Sequence, residues 1–393
     1  MTLRTLDDLG DVSGRRVFVR VDFNVPLHDG AVADDLRIRA TLPTLDQLLD
    51  RGASLVLASH LGRPKGQTRD DLRLGPVGVR LAELLDRSVT TLDTPAPDVL
   101  PANEVVLLEN LRFEVGEEAN DPEFAGRLSE LADAYVDDAF GAAHRAHASV
   151  SALPELMIAS GRPAVAGRLL QREVEVLSTL LDEPAHPYVA ILGGAKVSDK
   201  LGTIGALLDR VDALLIGGAM AFTLIAADGG AIGESLVEPD RFDDVRVARA
   251  RAAERDVPIE LPVDIVAAQE VSEQAPRRTV PAAQIPAGWK GLDIGPHTVD
   301  MFAEHLAKAK TILWNGPMGV FELESFALGT RGVAEAVGNS QAFSVVGGGD
   351  SLLAIRQAGL EDRFNHLSTG GGASLEFLEG KALPGITILE GSP

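Results

Sequence analysis

Three observations predict an α/β protein built from two parallel-sheet lobes. From residue 188 onward, a short apolar run, a glycine-rich turn and a helical pattern recur five times: YVAILGGAK, ALLIGGAMA, TILWNGPMG, FSVVGGGDS and HLSTGGGAS. The first 160 residues keep the same rhythm with polar, cationic turns instead: VDFNVP, SHLGRPKG, ENLRF and DDAFGAAHRAH. The length of 393 residues suits two or three domains at roughly 150 residues each.

In chain order, the first lobe has candidate strands at Arg16–Val21, Ser54–Ser59, Val105–Leu108 and Ala134–Val136. Short β-branched runs that alternate with helical stretches signal βαβ units and a parallel sheet. Next comes GRLLQREVEVLSTLLDEP, with apolar residues at 170, 174, 177 and 181 flanked by 169, 176 and 180. That stripe predicts a helix ended by Pro184, read as interdomain, with an ordinary core helix of one lobe as the alternative. Right-handed crossovers then place the five glycine-rich turns together at the carboxyl edge of one second-lobe sheet.

Composition narrows the function. Hydrophobic residues make up 45% and charged residues 24%, an ordinary globular balance. A formal charge of −22 argues against nucleic acid or an anionic bilayer as the main partner. Without cysteine there is no disulfide framework, thiolate metal site or cysteine nucleophile. The segment MTLRTLDDLG has no signal-peptide progression and no run of about 18 apolar residues occurs, so a cytoplasmic location is expected.

Glycine at a strand-to-helix turn lets backbone N–H groups approach an anion, and the helix N-terminus adds partial positive charge. Packing of helix on sheet explains part of the same pattern. Neither GxxxxGK[ST] nor GxGxxG occurs; Gly347/Gly349 and Gly370/Gly372 meet Leu352 and Leu375 where a third glycine belongs. A P-loop NTPase is thereby excluded, and a nicotinamide-dependent oxidoreductase is disfavoured.

Only seven lysines accompany 29 arginines, yet Lys196 and Lys200 fall together in GGAKVSDK. Lys200 is expected in the first turn of a helix starting near Ser198, where the dipole favours anions. The pair reads as a meeting point for phosphate, or as a solvated pair. Asp350 in VVGGGDS is either a helix cap or a magnesium ligand, because magnesium takes one or two carboxylates with phosphate and water. Glu322 in WNGPMGVFE is a candidate acceptor for ribose, or simple surface.

In the first lobe Arg37, His60, Arg63, Arg112, His144, Arg145 and His147 fall near strand ends or the following turns. Arginine's planar fork suits carboxylate and phosphate. Screening within about 8–10 Å allows such a cluster to overcome the chain's overall charge. Asp22 and Asn24 in RVDFNVP can hold hydroxyl groups of the same ligand. Each arginine alone has a surface ion pair as its alternative, and no third ligand joins His144 and His147 in a metal site.

Together, VFVRVDFNVP, SHLGRPKG, LLENLRF, DDAFGAAHRAHAS, ILGGAKVSDK, LLIGGAMAFTLI, LPVDIV, GWKGLDIGPHT, ILWNGPMGVFE, VVGGGDS and HLSTGGGASLEFLEG closely resemble the phosphoglycerate kinase family. The resemblance implies two doubly wound, Rossmann-like lobes with a helical hinge and an interdomain cleft. It divides the chain into an acid-binding lobe at 1–167, a hinge at 168–183, a nucleotide lobe at 184–375 and a returning segment at 376–393. It puts 3-phosphoglycerate on Asp22, Phe23, Asn24, Arg37, His60, Leu61, Gly62, Arg63, Arg112 and Arg145. It puts the nucleotide near Gly217, Gly218, Gly291, Asn315, Pro317 and Glu322, with phosphates at Lys200, Gly348, Gly349, Asp350 and Ser351. Asp350 matches the metal aspartate, and Arg37, Lys196, Lys200, Gly349 and Gly372 match groups that serve the transferring phosphoryl.

Ala142 departs from a frequent threonine, and Gln171–Arg172 from a lysine-bearing pair in the hinge. The implied reaction is phosphoryl transfer between 1,3-bisphosphoglycerate and ADP, with Mg²⁺ and no NAD, flavin or structural metal. A monomer is implied. Such transfer needs alignment and charge neutralisation more than a nucleophile–base pair. A two-lobed solute-binding protein without catalysis is the competing class.

Overall fold

The computed structural model describes residues 2–93, 97–101 and 104–391. The chain forms two compact units, one of residues 1–175 with 382–393 and one of residues 176–381.

Unit 1 is built on six parallel strands: β1 Arg16–Arg20, β2 Ser54–Ala58, β3 Val89–Leu92, β4 Val105–Leu108, β5 Ala134–Asp137 and β6 Ala164–Ala166. Their order is β3-β4-β2-β1-β5-β6. The central strands read as continuous apolar runs because they are buried on both faces. Val17, Val19, Leu55, Leu57, Leu107 and Val136 form part of one core. All four expected strands are present, within one residue at their ends. Strand β3 (VTTL) escapes a reading based on hydrophobicity because it is a half-buried edge, and β6 because it has three residues.

Unit 2 contains β7 Tyr188–Leu192, β8 Ala213–Ile216, β9 Ile259–Glu260, β10 Asp264–Ala268, β11 Arg277–Pro281, β12 Lys290–Ile294, β13 Thr311–Asn315, β14 Phe343–Gly347 and β15 His366–Ser368. The five glycine-tipped runs are β7, β8, β13, β14 and β15. With edge strand β9 they make a parallel sheet in the order β9-β8-β7-β13-β14-β15. Their turns therefore share one carboxyl edge. A separate antiparallel sheet, β11-β10-β12, is inserted between β9 and β13 and was not expected.

The stripe at 170–181 is a helix over Arg168–Leu181, and Leu170, Val174, Val176, Leu177 and Leu180 are buried. It ends three residues before Pro184, so proline does not itself terminate it. The boundary between the units falls inside this helix, between Glu175 and Val176. The chain then returns to unit 1 at Ala382. Leu3 bridges Glu390, Arg4 N–H donates to the Leu389 carbonyl at 3.0 Å, and Gly391 N–H donates to the Thr2 carbonyl at 2.9 Å. Among the described residues, no helix is long and apolar enough to cross a membrane.

Candidate active site

In a parallel sheet, chain direction carries every strand tip to one edge, and ligands gather where the strand order reverses. In unit 2 that reversal lies between β7 and β13. There the turns are sewn together by their backbones: Gly193 N–H donates to the Asn315 carbonyl at 2.9 Å, and Gly194 N–H to the Pro317 carbonyl at 3.0 Å. A β-carbon on Gly193 would sit 2.2 Å from the Pro317 carbonyl oxygen, and one on Gly218 would sit 2.5 Å from the Gly194 nitrogen. These glycines are required by turn-on-turn packing. Gly349 and Gly372, the first residues of helices Gly349–Gln357 and Gly372–Leu378, have nothing within 4 Å of such an atom. The glycine-rich turns thus divide into packed and open positions.

Beside these turns lies a cavity of about 420 Å³. It brings together Gly218, Gly291, Pro317, Glu322 and Asp350 of the expected residues. Gly217 is packed against Met318, and Gly348 is the N-cap of Gly349–Gln357. Ser351 is fully buried, and its hydroxyl accepts the Gly316 N–H at 2.7 Å, a structural duty. Asn315 is buried and accepts a hydrogen bond from the Lys200 ammonium.

The helix behind the lysines begins at Leu201, not near Ser198. Ser198 is not its cap: its N–H (3.0 Å) and hydroxyl (2.7 Å) donate to the Glu238 carboxylate, two residues before the N-cap position. Lys200 is left as the N-cap residue, half-buried, while Lys196 lies exposed in the preceding loop. Burial pulls the Lys200 pKa down to about 8 against the opposing charges of Asp199, Asp350 and Glu379. Asp350 stands exposed in the first turn of its helix and makes no side-chain cap. Among the described residues no three His, Cys, Asp or Glu gather as a metal cluster. One free carboxylate beside a phosphate-receptive edge fits magnesium, which takes its remaining ligands from phosphate and water.

In unit 1 the tips of β1, β2 and β4 converge. Arg37, in the first turn of helix Leu36–Asp50, pairs with Asp22 at 3.1 Å and donates to the Asn24 carbonyl at 3.1 Å. Asn24 Oδ1 accepts the Gly62 N–H at 2.9 Å, and the Gly62 carbonyl accepts from Arg112 at 2.7 Å. Phe23 N–H donates to the Ser59 hydroxyl, and Leu61 N–H to Asn110 Oδ1. His60 is buried, 3.9 Å from Asp22. Arg145 is half-buried and hydrogen-bonded to His144 at 3.0 Å, whereas Arg63 is exposed.

The histidines add no positive charge to the cluster. Burial, then the charges of Arg20, Arg112 and Arg37, hold His60 well below its ordinary range. Burial, followed by Arg112, Arg20 and Arg145, takes His147 down to about 4. Both rings are neutral near pH 7, and the arginines supply the cationic field. Burial likewise lowers Arg112 to about 10, which leaves it charged.

A sequence profile of the phosphoglycerate kinase family matches residues 6–381. This chain belongs to that family. It is 54% identical over 395 residues to the phosphoglycerate kinase of Rubrobacter xylanophilus, covering 99% of this chain and 98% of that one. It is 55% identical over 406 residues to that of Salinispora tropica, covering 99% and 100%. Solved phosphoglycerate kinase structures from Coxiella burnetii (TM-score 0.86, 41% identity) and Pyrococcus horikoshii (0.85, 33%) each cover 98% of both chains. For a phosphoglycerate kinase, the sequence reading overlooked two sets of residues. The apolar cavity walls Phe222, Leu236 and Val271 carry no glycine or charge signal. Arg20 was overlooked although it interrupts the apolar run VFVRV, and it proves completely buried.

Proposed function

We propose that this chain transfers a phosphoryl group reversibly between 1,3-bisphosphoglycerate and ADP, yielding 3-phosphoglycerate and ATP. The observation that carries this reading is the arginine-lined strand edge of unit 1, where neutral histidines leave the cationic field to Arg20, Arg37, Arg112 and Arg145. That field suits a small acid bearing both carboxylate and phosphate.

In the ATP-forming direction, an oxygen of the ADP β-phosphate attacks the acyl phosphate phosphorus. The bond from phosphorus to the acyl oxygen breaks, and its electrons remain on the 3-phosphoglycerate carboxylate; no proton needs to move. Arg37, Arg63, Arg112, Arg145 and His60 hold the acid, while Asp22 and Asn24 accept its hydroxyl. Phe23, Leu61 and Gly62 shape the backbone beneath it. Around the cavity, Gly217, Gly218, Gly291, Asn315, Pro317 and Glu322 hold the nucleoside, with Gly348 and Ser351 forming the turn under its phosphates. Arg37, Lys196, Lys200 and the open Gly349 and Gly372 N–H groups neutralise the equatorial oxygens of the moving group. Asp350 would hold the magnesium that arrives with ADP or ATP, and the ion would offset phosphate charge there.

Because the two ligand sites belong to different units, transfer requires them to be brought in line, with residues 168–183 as the hinge. Exclusion of water then protects the acyl phosphate. The reading extends to a monomer acting in the cytoplasm, where both nucleotides are supplied. The deciding assay follows MgATP consumption. Turnover should depend strictly on 3-phosphoglycerate, and ATP loss without that acid would sink the proposal. Scattering should show greater compaction with both ligands than with either alone.

A further inference from the structure

Beneath the arginine edge of unit 1, a line of buried polar groups runs from Glu117 and Ser149, which the transfer itself does not use, up to Arg20 and His60. Glu117 has no exposed surface and accepts two hydrogen bonds from Ser149, from its N–H at 3.0 Å and its hydroxyl at 2.7 Å. The same hydroxyl accepts from Arg20 Nε at 2.8 Å. Arg20, equally unexposed, directs one terminal nitrogen to the Val21 carbonyl and the other to His60 Nδ1 at 3.2 Å. The Tyr135 hydroxyl donates to the Ser149 carbonyl at 2.8 Å and fixes the backbone there.

The direction of this line follows from chemistry. A hydroxyl has one proton, and Ser149 gives it to Glu117, so toward Arg20 it can only accept. A guanidinium can only donate. His60 Nδ1 is therefore the acceptor, and the single proton of the neutral ring is on Nε2. Asp22 stands 3.9 Å from Nδ1, beyond hydrogen-bond distance, and cannot reverse the assignment. Arg112, Arg37 and the neutral His147 also lie around the ring, and burial, with the cationic field of Arg20, Arg112 and Arg37, opposes a second proton.

We propose that Glu117 is a positioning residue that, through Ser149 and Arg20, fixes His60 as the tautomer presenting Nε2–H to the anionic acid. This rests on the reading that His60 meets 3-phosphoglycerate. A ring of the opposite tautomer would turn a lone pair toward an anion. The fixed donor makes acid binding independent of histidine protonation in the range where an ordinary imidazole titrates.

Two-bond proton–nitrogen NMR on uniformly ¹⁵N-labelled protein reads the tautomer directly. His60 should show a protonated Nε2 and an unprotonated Nδ1 from about pH 5.5 to about 8, the span across which a free imidazole would change state. Ser149→Ala frees Arg20, and Glu117→Gln replaces one acceptor oxygen with a donor. Each should mix the two tautomers and raise KM for 3-phosphoglycerate about tenfold, moving KM for MgATP far less. Should Glu117→Gln fail to fold, Ser149→Ala carries the same test. A proton on Nδ1 in the unaltered protein overturns the proposal, and so do two folded variants with unchanged tautomer and unchanged KM. If 3-phosphoglycerate leaves the His60 signals unmoved, the site reading falls, while the tautomer is still decided by the ligand-free spectrum.

Discussion

In unit 1 the strand tips that gather at the sheet edge carry arginine, histidine, aspartate and asparagine side chains, which hold one another in place. In unit 2 the corresponding tips carry glycine, and the backbone itself forms the surface. Both edges stand on the same six-stranded parallel framework, and in the proposed function both receive anions. The first does so with side-chain charge and directional forks, suited to a small acid that must be oriented. The second uses N–H groups and helix ends, suited to a phosphate chain. Unit 2 also shows that a glycine-rich edge has two kinds of position, since Gly193 is demanded by packing and Gly349 is left open.

The contrast can be broken at its strongest point first. Arg37→Ala should lower kcat by about 10²–10³, the usual cost of losing one preorganised charge donor. Full turnover in a steady-state assay would remove Arg37 from the transfer site. Gly193→Ala should be the most damaging of the glycine changes for the fold. Its β-carbon meets a backbone carbonyl 2.2 Å away, so a loss of about 3 kcal/mol is expected in chemical denaturation. Wild-type stability in that variant would erase the distinction between packed and open glycines.

Gly349→Ala tests the other half of the distinction. The melting temperature should stay close to wild type, while KM for MgATP rises by about tenfold, or 1.4 kcal/mol. A destabilised Gly349→Ala with normal nucleotide binding would reverse our assignment.

The smallest effect concerns pH. Lys200 has a pKa lowered to about 8, so its ammonium is lost as pH rises through that value. The alkaline limb of kcat/KM should bend near pH 8, and Lys200→Arg should move the bend upward because arginine stays charged. The same lowered pKa means the unfolded chain binds more protons between about 8 and the ordinary lysine value. This group's contribution to stability therefore rises with pH across that window. An unmoved bend in Lys200→Arg would assign it to another group.

The five glycine-tipped strands of unit 2 were legible because buried parallel strands are unbroken apolar runs, and glycine marks their ends. The edge strand Val89–Leu92 was not, since its threonines face partly to solvent. The helix starts at Leu201, and Ser198 before it is tied to Glu238, 40 residues away. No local pattern around Ser198 contains that distant partner. The charge state of the first-lobe site was likewise illegible. Nothing local in the sequence around His60 and His147 shows that burial, together with arginines from other segments, holds both rings neutral. Arginine at position 20 was visible, and its interruption of an apolar strand was the signal to pursue.

The return of residues 382–391 to the first unit has a consequence in time. Unit 2 is one continuous stretch of chain, whereas unit 1 is completed by residues 382–393, which are synthesised after all of unit 2. Thr2 and Gly391 are joined by a hydrogen bond, so the stretch between them is close to a closed loop. Domains generally fold as units during translation, N-terminal first. Here that order is inverted at the final step: the second unit can be finished on the ribosome while the first still waits for its last segment. A circular permutant that joins the two ends and opens the chain elsewhere would give the first unit all its residues early.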